Sequence, residues 1–469
     1  MRVFFYLTKK TFGFLVYFGI FLIIILHTKS TDDESDQKTQ PHGESLRKVL
    51  FKEPSAQKKL QNSDFRNLVE PTDLAFENTY WQVFTTINGT FRLLNAYYDD
   101  RDYLRGRPLI RIMAVQSRTT IQANLFCYIW YDGIDEPTVS KVHEYRLLWF
   151  ERYGPKTNFV TPVFISCLSP LVDQGKIPAS VSLFSNEFET PSNNLKVIHI
   201  LPENGIKKTV AVCGRLFEYK ADMSMILIEW IEIVLLLGAD MIVFSVITIH
   251  SNMMRVLSYY EDIGKVKIER LTLPNAKTLP RYNQMIAIND CFYKNMYKYK
   301  FITSLDIDEF IVPMRLSEKT WQSLLQRKAA KSKKFVSLEA QSVFFNLDNN
   351  HQDEVQPEVP KNLIFLQHVY RASELCRLEA GAKSFVKTDS VIVTHNHRAI
   401  HCAGYCSVFH FSPGDARLQH YRNGCGGGYA PEKCDYFRRN TTRDTILWKF
   451  KDEVVKNVYK TAAATGIEF

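Results

Sequence analysis

The sequence has no long arginine or lysine stripe interleaved with aromatics, and no zinc-finger or RNA-binding signature. A nucleic-acid-binding role is therefore excluded in spite of a formal net charge of +9. The densest basic stretch, Arg327–Lys334, reads as a solvated helix end. No internal repeat is evident, so the chain is not a repeat array. Disorder is excluded for most of its length, because 45% apolar and 23% charged residues are the proportions of an ordinary globular protein. Aromatics are plentiful instead, with 32 Phe and 23 Tyr to fill a large core. A length of 469 residues implies two or three folding units of roughly 150 residues each.

One segment lacks charge altogether. Thr11–Thr28 runs for 18 residues without a charged side chain. As a helix it would span about 27 Å, close to the hydrocarbon thickness of a bilayer. No good small-x-small cleavage site follows, Thr28-Lys29-Ser30 being a poor one, which favours a retained anchor over a cleaved signal peptide. Arg2, Lys9 and Lys10 precede the span, whereas Asp32, Asp33, Glu34 and Asp36 follow it. Positive residues stay cytoplasmic, so the expectation is a single-pass type II protein of the Golgi or another secretory-pathway membrane, with its bulk in the lumen. Asn88 and Asn440 open Asn-x-Thr triplets that accept N-glycans in that compartment. Nine cysteines fit an oxidising compartment in which most pair and one is left over. Cys402, Cys406, Cys425 and Cys434 cluster near His401, but their spacing matches no standard zinc site, which favours disulfides.

The chain divides by composition into a cytoplasmic tail (1–10), the anchor (11–28), a polar stem (29–75), a β-rich N-terminal domain (76–205), an α/β domain (206–445) and a C-terminal tail (446–469). The β-rich part shows short runs such as Trp81–Ile87, Leu109–Val115 and Leu125–Tyr131. From Lys207 strands and helices alternate, the pattern of an α/β sheet: strands at Thr209–Cys213, Met241–Val246, Lys265–Leu271 and Lys300–Leu305, with helices between them.

The last of these strands runs into Asp306-Ile307-Asp308-Glu309-Phe310. In open α/β sheets ligands sit beyond the carboxyl ends of the strands, and alternate residues project the same way. Asp306 and Asp308 are thereby candidates to grip one Mn²⁺ or Mg²⁺ ion against the phosphates of a nucleotide, while Ile307 packs inward. Such an ion offsets charge on a diphosphate leaving group. A second Asp-x-Asp, Asp100-Arg101-Asp102, lies in a charged turn and is expected to bind nothing.

Around this motif the chain resembles glycosyltransferase family 92. The segments that carry the resemblance are Ala96–Arg101, Ala211-Val212-Cys213, Glu229-Trp230-Ile231-Glu232, Asn289-Asp290-Cys291, Leu305–Phe310, Lys383-Ser384-Phe385-Val386 and His420-Tyr421-Arg422. The resemblance implies a GT-A fold, preceded here by the small β-rich domain. It also implies an inverting hexosyl transfer from a nucleotide sugar, with UDP-galactose as the donor and a glycan or glycoprotein as the acceptor. It points to His397 as a third metal ligand, with His395 and His401 nearby, and to His420 and Arg422 at the donor. Glu309 is the candidate general base because it adjoins the metal pair, although a side chain next to Asp308 is expected to point away from it; Glu374 and Glu379 are further candidates. Two segments depart from the family pattern. Gly214-Arg215-Leu216-Phe217 lacks a proline, and Ser245–His250 reads SVITIH. The alternative they leave open is a catalytically inactive scaffolding protein of the Golgi on the same fold.

Overall fold

The computed structural model describes residues 80–468 apart from 118–123, 150–158, 172–174, 186–190, 332–334, 349–350, 352–353, 379 and 426–427. The proposed tail, anchor and stem lie outside the described residues, and among those described no helix is long and apolar enough to cross a membrane.

The chain first builds β1 (Gln82–Thr86), β2 (Gly89–Asp99), β3 (Leu109–Gln116), β4 (Phe126–Tyr131), β5 (Thr138–Leu147), β6 (Thr161–Leu168), β7 (Pro178–Phe184) and β8 (Leu195–Ile198). They pair in the order β1-β2-β3-β6-β5-β4-β7-β8, and β8 also pairs with β2, so the sheet closes back on itself. Alternation sends Leu93, Ile110, Ile112, Val163 and Ile165 into the interior of this closed sheet. Cys127 and Cys167 form a disulfide within it.

The next elements are β9 (Lys208–Gly214), β10 (Phe217–Tyr219), α1 (Ser224–Leu236), β11 (Met241–Ile249), α2 (Ser251–Asp262), β12 (Val266–Arg270), α3 (Pro280–Asn295), β13 (Tyr299–Leu305), β14 (Glu309–Pro313) and α4 (Trp321–Lys331). After them come β15 (Ser337–Ala340), β16 (Ser342–Asn346), the one-turn helix α5 (Ile364–Gln367), β17 (Tyr370–Ala372), β18 (Lys383–Lys387), β19 (Val391–Thr394), β20 (Ala399–Cys402), β21 (Val408–His410), β22 (Ala416–Arg422), α6 (Pro431–Arg439), β23 (Thr441–Arg443) and α7 (Lys451–Thr465). The main sheet runs β10-β11-β9-β13-β18-β15-β21, with β12 on β11. Its β10, β11, β12, β9 and β13 are parallel, whereas β18 joins antiparallel. Strands buried on both faces need continuous apolar runs, and Val210–Cys213 and Ile242–Phe244 supply them. A smaller sheet, β14-β22-β16, meets the main one where β22 touches β15.

Helix α1 is apolar nearly all round and is wrapped by protein on most sides, as such a helix must be. Gly238 follows it at φ +104°, and a Cβ there would strike the Gln322 side chain at 2.2 Å. Residues 446–469, expected to trail as a tail, instead form a 3-10 turn at Ile446–Phe450 and then α7. Val454, Val458 and Ala462 recur every four residues, lie on one helical face, and are buried with α1 and α2.

The two sheets share a core. Leu94, Tyr97, Met113 and Phe164 of the closed sheet pack against Tyr282, Ile286, Phe292 and Tyr293 of α3, which in turn covers β9 and β13. A buried ionic network adds a polar fastening. Asp99 accepts from Arg101 Nε at 2.7 Å and Arg111 Nε at 2.8 Å, and Arg111 Nη1 meets Glu144 at 2.6 Å. Burial alone would raise the Asp99 pKa, but the two guanidinium groups outweigh it and hold the carboxyl far below its ordinary range. Arg101 Nη1 also donates to the carbonyls of Thr388 and Val391, at 2.5 and 2.6 Å, in the turn between β18 and β19. The Asp100-Arg101-Asp102 turn therefore carries a structural arginine.

Glu229, on α1, is wholly buried and accepts the backbone N–H groups of Phe365 and Leu366 at 3.0–3.2 Å, at the start of α5. Burial pushes its pKa up to about 8 against the pull of those amides. A folded-state pKa above the unfolded one means that its contribution to stability is full below the ordinary carboxyl value of 4.5 and is lost as pH rises through about 8. Chemical denaturation at pH 5 and pH 8 should thus cost the wild type up to a few kcal/mol more than Glu229→Gln across that window. Parallel pH profiles for the two proteins would rule this out.

Candidate active site

Strand β13 lies between β9 and β18, and Asp306 is the first residue past its end. The Glu309 N–H donates to the Asp306 carbonyl at 3.1 Å and closes the turn into β14. Three further bonds fix that turn. Trp230 Nε1 donates to the Glu309 carbonyl at 3.1 Å, the Tyr421 N–H to the Asp308 carbonyl at 2.8 Å, and Trp321 Nε1 to the Ile311 carbonyl at 2.7 Å. Ile307 is buried in the core, whereas the Asp306 and Asp308 side chains are 18% and 39% exposed.

A buried lysine holds the site from behind. Lys383, at the start of β18, is 1% exposed, and its Nζ lies 2.9 Å from Glu309 Oε2 and 3.6 Å from Asp306 Oδ2. Glu309 Oε2 also accepts the Asp306 N–H at 3.0 Å. Burial would raise the Asp306 pKa, but Lys383 and then Arg215 outweigh it and keep the carboxyl below its ordinary value. Glu309 is shifted upward, by burial first, with Lys383 opposing and Asp306 reinforcing. His420, on β22, bridges the carboxylates, with Nε2 at 3.4 Å from Asp308 and Nδ1 at 3.5 Å from Glu309. Burial acts to lower its pKa, yet Glu309 and Asp308 raise it overall.

The histidine loop after β19 reaches the same place. Asn289 of α3 grips Thr394 at both backbone atoms, donating to its carbonyl at 2.9 Å and accepting its N–H at 3.0 Å. Tyr293 OH donates to the Ile392 carbonyl at 2.8 Å. His397 Nδ1 lies 2.7 Å from the Ala382 carbonyl, next to Lys383. Nδ1 must carry the proton to make that bond, which leaves the lone pair on Nε2. Burial, with Lys383 nearby, lowers its pKa to about 4, so the ring is neutral at pH 7. The His395 and His397 rings are 5.4 Å apart, and His395 leans on Trp149.

Of the residues singled out from sequence, Asp306, Asp308, Glu309, His397 and His420 converge here. Arg422 stands two residues beyond His420 on β22 and therefore on the same face of the small sheet. Glu374 lies at the surface against Lys433 at 2.5 Å, and Glu379 is outside the described residues. Asn88 sits in the β1–β2 turn and Asn440 is exposed at the end of α6. The four clustered cysteines form Cys402–Cys406 and Cys425–Cys434, a third disulfide joins Cys213 to Cys291, and Cys376 is a buried free thiol. Three site residues were not anticipated. Lys383 opens one of the resemblance segments, but a lysine before an apolar run gave no sign of a place at the site. Arg215 and Tyr219 follow β9, and the Tyr219 hydroxyl, raised mainly by burial, senses Arg215, Asp306 and Asp308 together.

The donor set suits a hard divalent cation. Among the described residues Asp306 Oδ1 is buried with no hydrogen-bond partner, Asp308 opens outward with His420 beside it, and the neutral His397 ring senses the Asp306 charge. Among the described residues no three His, Cys, Asp or Glu side chains are grouped closely enough to hold an ion by themselves. That is compatible with Mg²⁺ or Mn²⁺, which are commonly held by one or two carboxylates and completed by substrate phosphate and water. His420, rather than His397, is the imidazole touching Asp308.

The family model described as Glycosyltransferase family 92 matches residues 208–458, more than half of the chain. No curated protein matches the sequence. The matched span contains β9 to most of α7 and every site residue just described.

Replacing Lys383 by Met should leave the buried Glu309 carboxyl and the partly buried Asp306 carboxyl without their cation. In metal-free protein the expected loss is about 3–5 kcal/mol of unfolding free energy, against a much smaller loss for Lys383→Arg. A melting curve unchanged by Lys383→Met would refute the pairing as the support of the site.

Proposed function

Because the chain belongs to glycosyltransferase family 92, we propose that it is an inverting, metal-dependent hexosyltransferase, moving galactose from UDP-galactose onto a glycan or glycoprotein acceptor. The observation that carries this reading is the Asp306/Asp308 pair at the carboxyl end of β13, backed by Lys383 and flanked by Arg215. Parallel strands β9, β11 and β13 ending beside it are what a GT-A-type nucleotide site requires. Asp306 and Asp308 would hold Mn²⁺ or Mg²⁺, with His420 or His397 as the nitrogen donor, and the bound ion would supply charge neutralisation at the departing diphosphate.

The chain's own residues divide the remaining work. Arg215 and Tyr219 line the approach on the side of β9 and β10, where a nucleotide's phosphates would meet a guanidinium. Glu309 is a support rather than the general base. A base must reach the acceptor hydroxyl, but this carboxyl is 2% exposed and committed to Lys383 and the Asp306 amide. The base is left unassigned. Four disulfides support an oxidising, secretory setting, with Thr11–Thr28 as the type II anchor and the body lumenal.

Purified protein should consume a nucleotide sugar only with Mn²⁺ or Mg²⁺ present, and chelation by EDTA should stop it reversibly. Asp308→Ala should lower turnover roughly a thousandfold while the melting temperature stays near that of the wild type. Undiminished turnover in Asp308→Ala, or in EDTA, would eliminate the metal-dependent mechanism.

A further inference from the structure

Beside the proposed ion site the small sheet buries a side chain that nothing among the described residues satisfies. Asn346 ends β16, is 2% exposed, and neither its Oδ1 nor its Nδ2 has a hydrogen-bond partner among the described residues. Its register partner on β22 is Arg422, whose Nε is also buried and unpartnered. Two residues back along both strands, Phe344 pairs with His420, which pairs in turn with Glu309 on β14. Because residues two apart share a face, Asn346, Arg422, His420 and Glu309 lie on one side of the sheet, with Phe344 between them. This row runs over β14, β22 and β16, and His420 within it lies 3.4 Å from Asp308.

Buried amides are nearly always paired, and leaving one unpaired is unfavourable. Both atoms of Asn346 are bare, so a matching ligand must offer both a donor and an acceptor. A phosphate, which in its ionised form offers only acceptors, would leave Oδ1 unpaired. A cation would meet the neighbouring guanidinium. Two adjacent hydroxyls of a pyranose ring supply both partners, and Arg422 supplies a further donor.

We propose that Asn346 and Arg422 form a hydroxyl-recognising saccharide subsite, fixing the sugar ring beside the Asp308–His420 pair. The proposal rests on the transferase reading of that pair, and it makes Asn346 a specificity-determining residue. The ring bound there is either the hexose of the donor or the terminal sugar of the acceptor.

The test uses the full-length wild type, Asn346→Leu and Asn346→Asp. Calorimetry would measure UDP and UDP-galactose binding with Mn²⁺, and saturation-transfer NMR would follow methyl galactopyranoside and methyl fucopyranoside. Asn346→Leu should melt no lower than the wild type, since two unpaired groups are removed, and should bind UDP unchanged. It should lose about tenfold or more in saccharide affinity. Loss confined to UDP-galactose relative to UDP assigns the donor hexose, and loss confined to a methyl glycoside assigns the acceptor. Saccharide binding equal to wild type in Asn346→Leu, or in Asn346→Asp should the leucine variant not fold, overturns the subsite. Wild-type protein that binds a methyl glycoside through Asn346 but never binds UDP would sink the transferase reading and keep the subsite.

Discussion

The Lys383 ammonium, sealed between Asp306 and Glu309, is the interaction on which the site depends. An isolated charge at 1% exposure would be prohibitively unfavourable, and so would either carboxylate without it. Together they pin the start of β18, the end of β13 and the start of β14 to one point. The turn between Asp306 and Glu309 is then over-determined: its carbonyls and amides are taken by Trp230, Tyr421 and the Glu309 carboxyl. What remains facing outward is the pair of aspartates, held in place before any ligand arrives. Preorganisation of this sort spares reorganisation during a reaction.

Much of the architecture was legible beforehand. The apolar runs of β9, β11 and β13 must be buried on two faces, and their alternation with helices leaves few alternatives to a parallel sheet. The chain's end was misread because Val454, Val458 and Ala462 form a sparse stripe among Lys, Asp and Glu. Only tertiary packing against α1 and α2 reveals that stripe as a buried face. Within the site, Asp306 and Asp308 stood out through their place after a strand. Lys383, Arg215 and Asn346 did not, because their importance comes from residues brought near by folding, from as far off as Asp306 is from Lys383 in the chain. No local pattern encodes such a meeting.

Two of the short segments that carried the family resemblance share one trade, which is fastening. In Asn289-Asp290-Cys291 the asparagine holds Thr394, the aspartate accepts from Asn95 and Tyr97 of the closed sheet, and the cysteine bonds to Cys213 at the end of β9. In Glu229-Trp230-Ile231-Glu232 the first glutamate caps α5, the tryptophan holds Glu309, and the second glutamate accepts from Tyr260 and Asn457. Each side chain spends its polar atoms on backbone or partner groups far away in sequence. Asn346 is the contrast, buried on the same fold with nothing to hold among the described residues.

The core shared between the closed sheet and α3 has a consequence for where this protein can be cut. The family match begins at residue 208, yet Tyr282, Phe292 and Tyr293 lean on residues before it. Chopping the chain at that border would bare a broad aromatic wall and strip the Asp290 carboxylate of Asn95 and Tyr97, leaving it Lys294 alone among the described residues and inviting aggregation. The boundary drawn by kinship is not a boundary of folding, and the smallest piece able to stand alone must begin ahead of β1.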